Sequence, residues 1–147
     1  MINFRIGTDA SEYLIVEITG RTNPSALDYW DGNWVNANIE IYAGGFRGRY
    51  SAYLRTKELK DFRDAVTSLY SFKSKEASLE TLEGQLSINI TGDSLGHFAA
   101  KCEAMDQAGI GNRLIFTLTF DQTDIPAMLK ELDVVIKEYP IIGNPND

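Results

Sequence analysis

The fold is decided by the stretch WVNANIEIYAGGFRGRYSAYLR, residues 34–55, in which two alternating segments flank a pair of glycines. Each segment places apolar residues on one side and polar residues on the other, which is the period of a half-buried strand. Gly44 and Gly45 indicate a two-residue hairpin turn between them. The inward residues are predicted to be Val35, Ala37, Ile39 and Ile41 on the first strand, and Phe46, Gly48, Tyr50, Ala52 and Leu54 on the second.

The elements on either side of this hairpin follow the same rules. Alternation at Leu14, Val16 and Ile18 predicts a strand before it, and helical spacing after Thr56, a plausible N-cap, predicts a helix over residues 57–72. The remaining predicted elements are a hairpin from 78–83 and 85–91, strands at 97–104 and 112–120, and a helix that begins near Thr123 or Asp124 and ends at Pro140. The chain is therefore predicted to be α+β, a curved antiparallel β-sheet of about seven or eight strands with two α-helices packed on one side. Two groups of strands, each followed by a helix, hint at a duplicated plan.

Length and composition indicate one domain that covers residues 1–147. Hydrophobic residues make up 44% of the chain and charged residues 24%, which is ordinary globular composition. A chain of this size can bury roughly 70% of its unfolded surface. The sequence has no signal-like amino terminus and no apolar run of membrane-spanning length, so we expect a cytoplasmic monomer or small homo-oligomer.

Charge disfavours nucleic acid as a partner. The chain has 21 acidic and 14 basic residues, a formal net charge of −7 and a pI near 4.7. Phosphate binding depends on lysine and arginine, whereas this charge attracts a basic protein; it is also common among proteins that are acidic only for solubility. Arg47, Arg49 and Arg55 form a local cationic row, which either binds an anion or pairs with Glu40 and Glu17 across strands.

The sequence offers little support for catalysis. It contains no phosphate-binding glycine loop, no zinc-protease motif and no nucleophile elbow. One cysteine and one histidine cannot form a zinc cluster of the usual four-ligand kind. Since the common motifs are also absent, we expect no metal site, no cofactor and no catalytic residue. His97 is predicted to face solvent on a strand, and Cys102 to lie on the buried side of the same strand, where a thiol is inert.

Both tryptophans occur in DYWDGNW, residues 28–34, around an Asp-Gly turn. The rings either pack against a sheet edge or form a binding patch. One alternative is a small enzyme or carbohydrate-binding module centred on Trp30, Trp34 and His97. In a glycosidase of this kind, Glu12, Asp28 and Asp31 would supply the paired carboxylates.

Several motifs together resemble the WapI-like family of bacterial immunity proteins. They are DYWDGNW at 28–34, GGFRG at 44–48, LRTKEL at 54–59 with Phe62, GDSLGH at 92–97, GIGNRL at 109–114 and DQT at 121–123. The similarity runs over nearly the whole chain. It implies a small cytoplasmic protein that protects its own cell by binding a polymorphic toxin delivered between competing bacteria. The family's namesake counters the toxic tip of a wall-associated protein that cleaves RNA.

The resemblance implies a non-catalytic protein that binds and neutralises a cognate toxin domain, such as a nuclease. An inhibitor of a basic nuclease is expected to present acidic and aromatic side chains, since opposite charge speeds encounter and buried aromatic residues anchor the complex. Tyr29, Trp30, Asp31 and Trp34 are the predicted contact residues. An acidic interaction scaffold with an unrelated partner is the remaining alternative.

Overall fold

The computed structural model describes residues 1–147, and its strands form two four-stranded antiparallel sheets. The first sheet has the order β1-β2-β3-β4 and the second β5-β6-β7-β8. The strands are β1 (Ile2–Asp9), β2 (Glu12–Arg21), β3 (Trp34–Ala43), β4 (Phe46–Arg55), β5 (Glu76–Glu80), β6 (Leu86–Gly92), β7 (His97–Met105) and β8 (Arg113–Asp121). The helices are α1 (Tyr29–Gly32), α2 (Thr56–Tyr70) and α3 (Ile125–Glu138), the last preceded by a 3₁₀ turn (Gln122–Asp124).

The predicted α+β class is confirmed, with eight strands and two long helices. The strands divide between two sheets because α2 follows β4 directly and packs against β5, so β5 pairs with β6 and not with β4. Each sheet is a meander of neighbouring hairpins, and each is followed by a long helix. The element order therefore has the repeated plan that the sequence hinted at.

The hairpin of residues 34–55 has the predicted pairing, with Ala43 opposite Phe46 and Trp34 opposite Arg55. Gly44 takes a φ of 65°, which a residue with a side chain rarely adopts. The prediction that Phe46 faces the core is wrong, because this residue lies beside the turn, beyond the end of the core, and is 68% exposed.

Thr56 is not the N-cap of α2 but its first residue; Arg55 precedes the helix, and its N–H donates to the Glu58 carboxylate.

One apolar core unites the two halves. The inner faces of both sheets and the buried sides of α2 and α3 form a single cluster of 31 buried residues. The helical spacing after Thr56 predicts a buried stripe of Leu59, Phe62, Val66, Leu69 and Tyr70; the first four are buried, whereas Tyr70, at the end of α2, is exposed. Phe62 meets Phe4 of β1, with 6.1 Å between ring centroids. None of the helices combines the length and the apolar character of a membrane span.

Side chains cover parts of both free edges of the first sheet. On β1, the Arg5 N–H donates to Glu131 Oε1 of α3 at 3.2 Å, and burial raises the pKa of the Glu131 carboxyl. On β4, the buried Gln85 side chain accepts from the Tyr53 N–H at 3.4 Å and donates to the Ser51 carbonyl at 3.2 Å. Such covering prevents an edge strand from pairing with another chain.

The buried thiol gives a first prediction. Cys102 is buried on the inner side of β7, as predicted, and burial raises its pKa to about 12. At pH 8 the thiolate fraction is then about 10⁻⁴, and the folded chain should resist iodoacetamide. Mass spectrometry should find no alkylation after minutes in native buffer and complete alkylation in guanidinium. Equal rates in the two conditions would show that the thiol is accessible.

Candidate functional site

The tryptophan segment forms a compact turn of helix before β3. The Asp-Gly turn that the sequence indicated takes the form of α1, and the Asp28 side chain caps it by accepting from the Asp31 N–H at 3.1 Å. The Asp31 carbonyl accepts from the Asn23 side chain at 3.1 Å, which ties α1 to the preceding loop. The segment thus has a fixed backbone, from which its side chains project.

The aromatic rings of this segment line a small hollow of about 110 Å³. Trp30 is 56% exposed and meets Tyr29 edge-on, with 4.9 Å between ring centroids at 85°. Trp34 is half-buried at the start of β3, and Leu82, from the loop before β6, is exposed on the opposite wall. We call this surface the aromatic patch and define it as Tyr29, Trp30, Trp34, Arg55, Lys57 and Leu82. Three of the four predicted contact residues therefore lie together.

Cations, not carboxylates, form the charged part of the aromatic patch. The Arg55 guanidinium lies 6.0 Å from the centre of the Trp34 ring, and its Nε contacts Glu58 at 3.1 Å. Lys57 contacts Asp61 at 2.7 Å, and this hydrogen bond raises the pKa of Lys57. Asp31, the fourth predicted contact residue, is exposed on α1 but does not line the hollow. The patch is thus an aromatic surface whose cations are already paired.

Glu58 holds this patch together, and the sequence did not reveal that role. Its buried carboxylate accepts from the Arg55 N–H at 2.8 Å and from the Leu82 N–H at 2.7 Å. A glutamate at the third position of a helix indicates a capping interaction, so the contact with Arg55 could have been found. The contact with Leu82 joins residues 24 positions apart and requires the tertiary structure.

The carboxy-terminal segment supports the patch from behind. The buried Asn33 side chain donates to the Tyr29 and Ile142 carbonyls and accepts from the Ile142 N–H, each at 2.9 Å. A Cβ at Gly32 would lie 2.8 Å from the backbone carbonyl oxygen of Ala26 and 2.5 Å from Ile142 Cδ1, so the absence of a side chain permits this close approach. The Arg21 guanidinium donates to the carbonyls of Gly32 and Pro140.

The residues of the alternative enzymatic site are not brought together. His97 is exposed, and its Nδ1 lies 3.0 Å from Asp93 Oδ2. The pKa of the Asp93 carboxyl is lowered, chiefly by the N–H groups of His97 and Leu95. A general base at His97 would need a carboxylate such as Asp31 or Asp106 within reach, but Asp106 follows the far end of β7, about 30 Å along the strand from His97. Glu12 pairs with Ala43 at the opposite end of β3 from Trp34, so it is similarly far from Asp28 and Asp31.

Replacement of Glu58 tests how the patch is held. Glu58→Ala leaves two partly buried N–H groups and a guanidinium without their acceptor, and we expect a loss of about 2–4 kcal/mol in the free energy of unfolding. Urea denaturation followed by circular dichroism measures this loss. Glu83→Ala, at an exposed carboxylate beside the same loop, is the matched control and should change stability by less than about 0.5 kcal/mol. Equal effects of the two substitutions would contradict the bridging role.

Replacement of Asn33 tests the support from the carboxy terminus. Asn33→Ala removes three hydrogen bonds of a buried amide, so we expect a loss of about 1–3 kcal/mol. It should also speed amide exchange at Ile142 by more than at the amides of β7, whose exchange changes only through the loss of global stability. Unchanged exchange at Ile142 would show that the segment is held by other contacts.

No curated protein matches the chain. The chain is similar in structure to a chain of the solved structure "Crystal structures of trypanosoma bruciei MRP1/MRP2". The TM-score is 0.50 and the sequence identity 13%, and the match covers 92% of this chain and 84% of that chain. It is also similar to "Structure of a guideRNA-binding protein complex bound to a gRNA", with a TM-score of 0.49 and 13% identity, covering 92% and 89%. At this identity the first likeness concerns the fold alone. The model of the Immunity protein WapI-like family matches residues 5–140, nearly the whole chain, and the chain therefore belongs to the WapI-like family of immunity proteins.

Proposed function

We propose that this protein neutralises a cognate polymorphic toxin by binding it directly, in the cytoplasm and without catalysis of its own. Membership of the immunity family carries this proposal and supports a toxin-immunity role. The structure adds an exposed aromatic surface to which a partner can bind. Under this proposal the protein turns over no substrate and acts only through the complex.

The aromatic patch is the contact surface that we propose. Trp30 is more than half exposed beside Tyr29 and Leu82, and tryptophan and tyrosine are enriched among residues that dominate binding energy. The patch has a fixed backbone, because Asp28 caps α1 and Asn33 ties it to the carboxy-terminal segment. A preformed surface loses less conformational entropy when it binds, which favours a tight complex. Asp31, exposed on the same turn, is proposed to contact the toxin at the rim.

The charge of the chain supports a basic toxin, such as a nuclease. A net charge of −7 attracts a positively charged domain over a long range. This attraction acts mainly on the association rate, so the rate should fall as salt rises. The aromatic contacts should instead determine how slowly the complex dissociates.

Replacement of Trp30 tests the contact surface. We expect Trp30→Ala to weaken the complex with the toxic carboxy-terminal domain encoded beside the gene by at least tenfold, since a central tryptophan commonly contributes 2 kcal/mol or more. Titration calorimetry measures the affinity of each variant, and co-expression measures whether growth is restored. Ile115→Ala is the matched control, because Ile115 is a large apolar residue, 73% exposed, on β8 of the other sheet.

Three results are informative. Rescue by wild type, with binding by Ile115→Ala equal to wild type and binding by Trp30→Ala at least tenfold weaker, supports both the function and the surface. Equal binding by all three proteins contradicts the surface and leaves the function intact. Neither rescue nor binding by wild type contradicts the proposed function.

A further inference from the structure

The free edge of β4 is covered at one end only. In the two-residue hairpin, Ala43 and Phe46 form the hydrogen-bonded pair closest to the turn. Along the two strands, hydrogen-bonded pairs then alternate with pairs that are not hydrogen-bonded to each other. Arg47, Arg49, Ser51 and Tyr53 therefore direct their backbone N–H and C=O groups away from β3. The Gln85 contacts to the Ser51 carbonyl and the Tyr53 N–H agree with this assignment.

The backbone groups of Arg47 and Arg49 have no such cover. β4 pairs only with β3, and no side chain bonds to these two residues' outward N–H and C=O groups. The edge of β1 differs, because its Arg5 N–H donates to the Glu131 carboxylate. The exposed half of β4 thus presents alternating donors and acceptors about 7 Å apart, the repeat of an extended polypeptide.

A cleft lies beside this uncovered half. It has a volume of about 210 Å³ and lies between the β4 hairpin and the start of β8. Its apolar lining is formed by the exposed Phe46 together with Ile41, Tyr50, Ala104 and Leu114. Phe46, Gly48 and Tyr50 share the inner side of β4, so the apolar cleft adjoins the side chains on that side of the strand.

The other side of the same segment carries arginines without ionic partners. The Arg47 guanidinium stacks 4.6 Å from the Tyr42 ring, and Arg49 lies opposite Glu40 in register but forms no ion pair with it. The predicted pairing with Glu40 or Glu17 is therefore not seen. The nearby charges are already engaged: Arg113 pairs with Glu103, and the Asp106 carboxylate accepts from the Asn112 N–H at 2.7 Å and from its side-chain amide at 3.1 Å.

We propose that the uncovered half of β4, residues 46–50, receives an extended segment of the toxin as an added strand. This inference rests on the proposed function. The added strand is amphipathic: its carboxylate side chains pair with Arg47 and Arg49 on the outer side, and its apolar side chains enter the cleft beside Phe46. A polypeptide fits better than a nucleic acid, because only a polypeptide backbone supplies both donors and acceptors at this repeat.

The added strand and the aromatic patch belong to one contact region. Arg55 of the patch lies at the far end of β4 from Phe46, about 30 Å along the strand. A standard protein interface covers about 800 Å² on each partner, which is large enough to include both. The toxin would therefore lie along β4, with a locally acidic segment of an otherwise basic domain at the hairpin end and its remaining contacts at Trp30.

Two variants separate the backbone contribution from the charge contribution. Arg49→Pro removes the outward N–H of an edge strand, where proline is tolerated, and Arg47→Glu/Arg49→Glu reverses the charge but keeps the backbone groups. Titration calorimetry against the toxic domain encoded beside the gene should show at least tenfold weaker binding for each. Arg49→Ala is the control for Arg49→Pro, since it keeps the N–H, and should bind more tightly than the proline variant. Circular dichroism establishes that each variant is folded.

Hydrogen exchange of the wild-type complex provides a test that needs no substitution. The amides of Arg47 and Arg49 should gain protection on binding. If wild type binds but these amides gain none, or if both folded variants bind as wild type does, the added strand is wrong while the proposed function stands. If wild type does not bind, the proposed function itself fails. A concentration-dependent dimer of wild type that Arg49→Pro abolishes would assign the edge to a second copy and overturn the toxin as occupant. Binding of a single-stranded RNA that is lost in Arg47→Glu/Arg49→Glu but kept in Arg49→Pro would likewise overturn the toxin as occupant.

Discussion

The buried carboxylate of Glu58 joins the two halves of the molecule at the aromatic patch. It accepts from the backbone and guanidinium of Arg55, at the junction of β4 and α2, and from the backbone of Leu82, in the loop between β5 and β6. Hydrogen bonds to an ionised group contribute about 1.5–3 kcal/mol each, so this one side chain fixes both walls of the hollow. The position of Leu82 opposite Trp34 depends on it.

Uneven covering of the sheet edges gives β4 two different ends. Gln85 forms hydrogen bonds with the β4 edge near the aromatic patch, where Arg55 and Trp34 lie. At the hairpin end, the outward N–H and C=O groups of Arg47 and Arg49 are free. Edge strands usually carry charge or cover because a bare edge invites pairing with another chain. The arginines at Arg47 and Arg49 discourage pairing with another basic strand and favour an acidic one. A surface of this kind can be selective without a deep pocket.

Local patterns predicted local structure well, and distant contacts escaped prediction. Alternation determined the hairpin of residues 34–55, and helical spacing determined the buried stripe of α2. Phe46 was misplaced because periodicity does not show where a core ends. The clustering of Tyr29, Trp30 and Trp34 followed from their proximity in the sequence. The contacts that hold them did not, since Asn33 reaches Ile142 across 109 positions and Glu58 reaches Leu82 across 24.

Direct binding to the toxin is the central claim, and calorimetry tests it most directly. The wild-type protein is titrated into an inactivated form of the toxic domain encoded beside its gene. The account predicts a saturable 1:1 complex with a Kd in the nanomolar range, as expected for a preformed aromatic surface reached by electrostatic attraction. The absence of saturable binding at protein concentrations of tens of micromolar would contradict it.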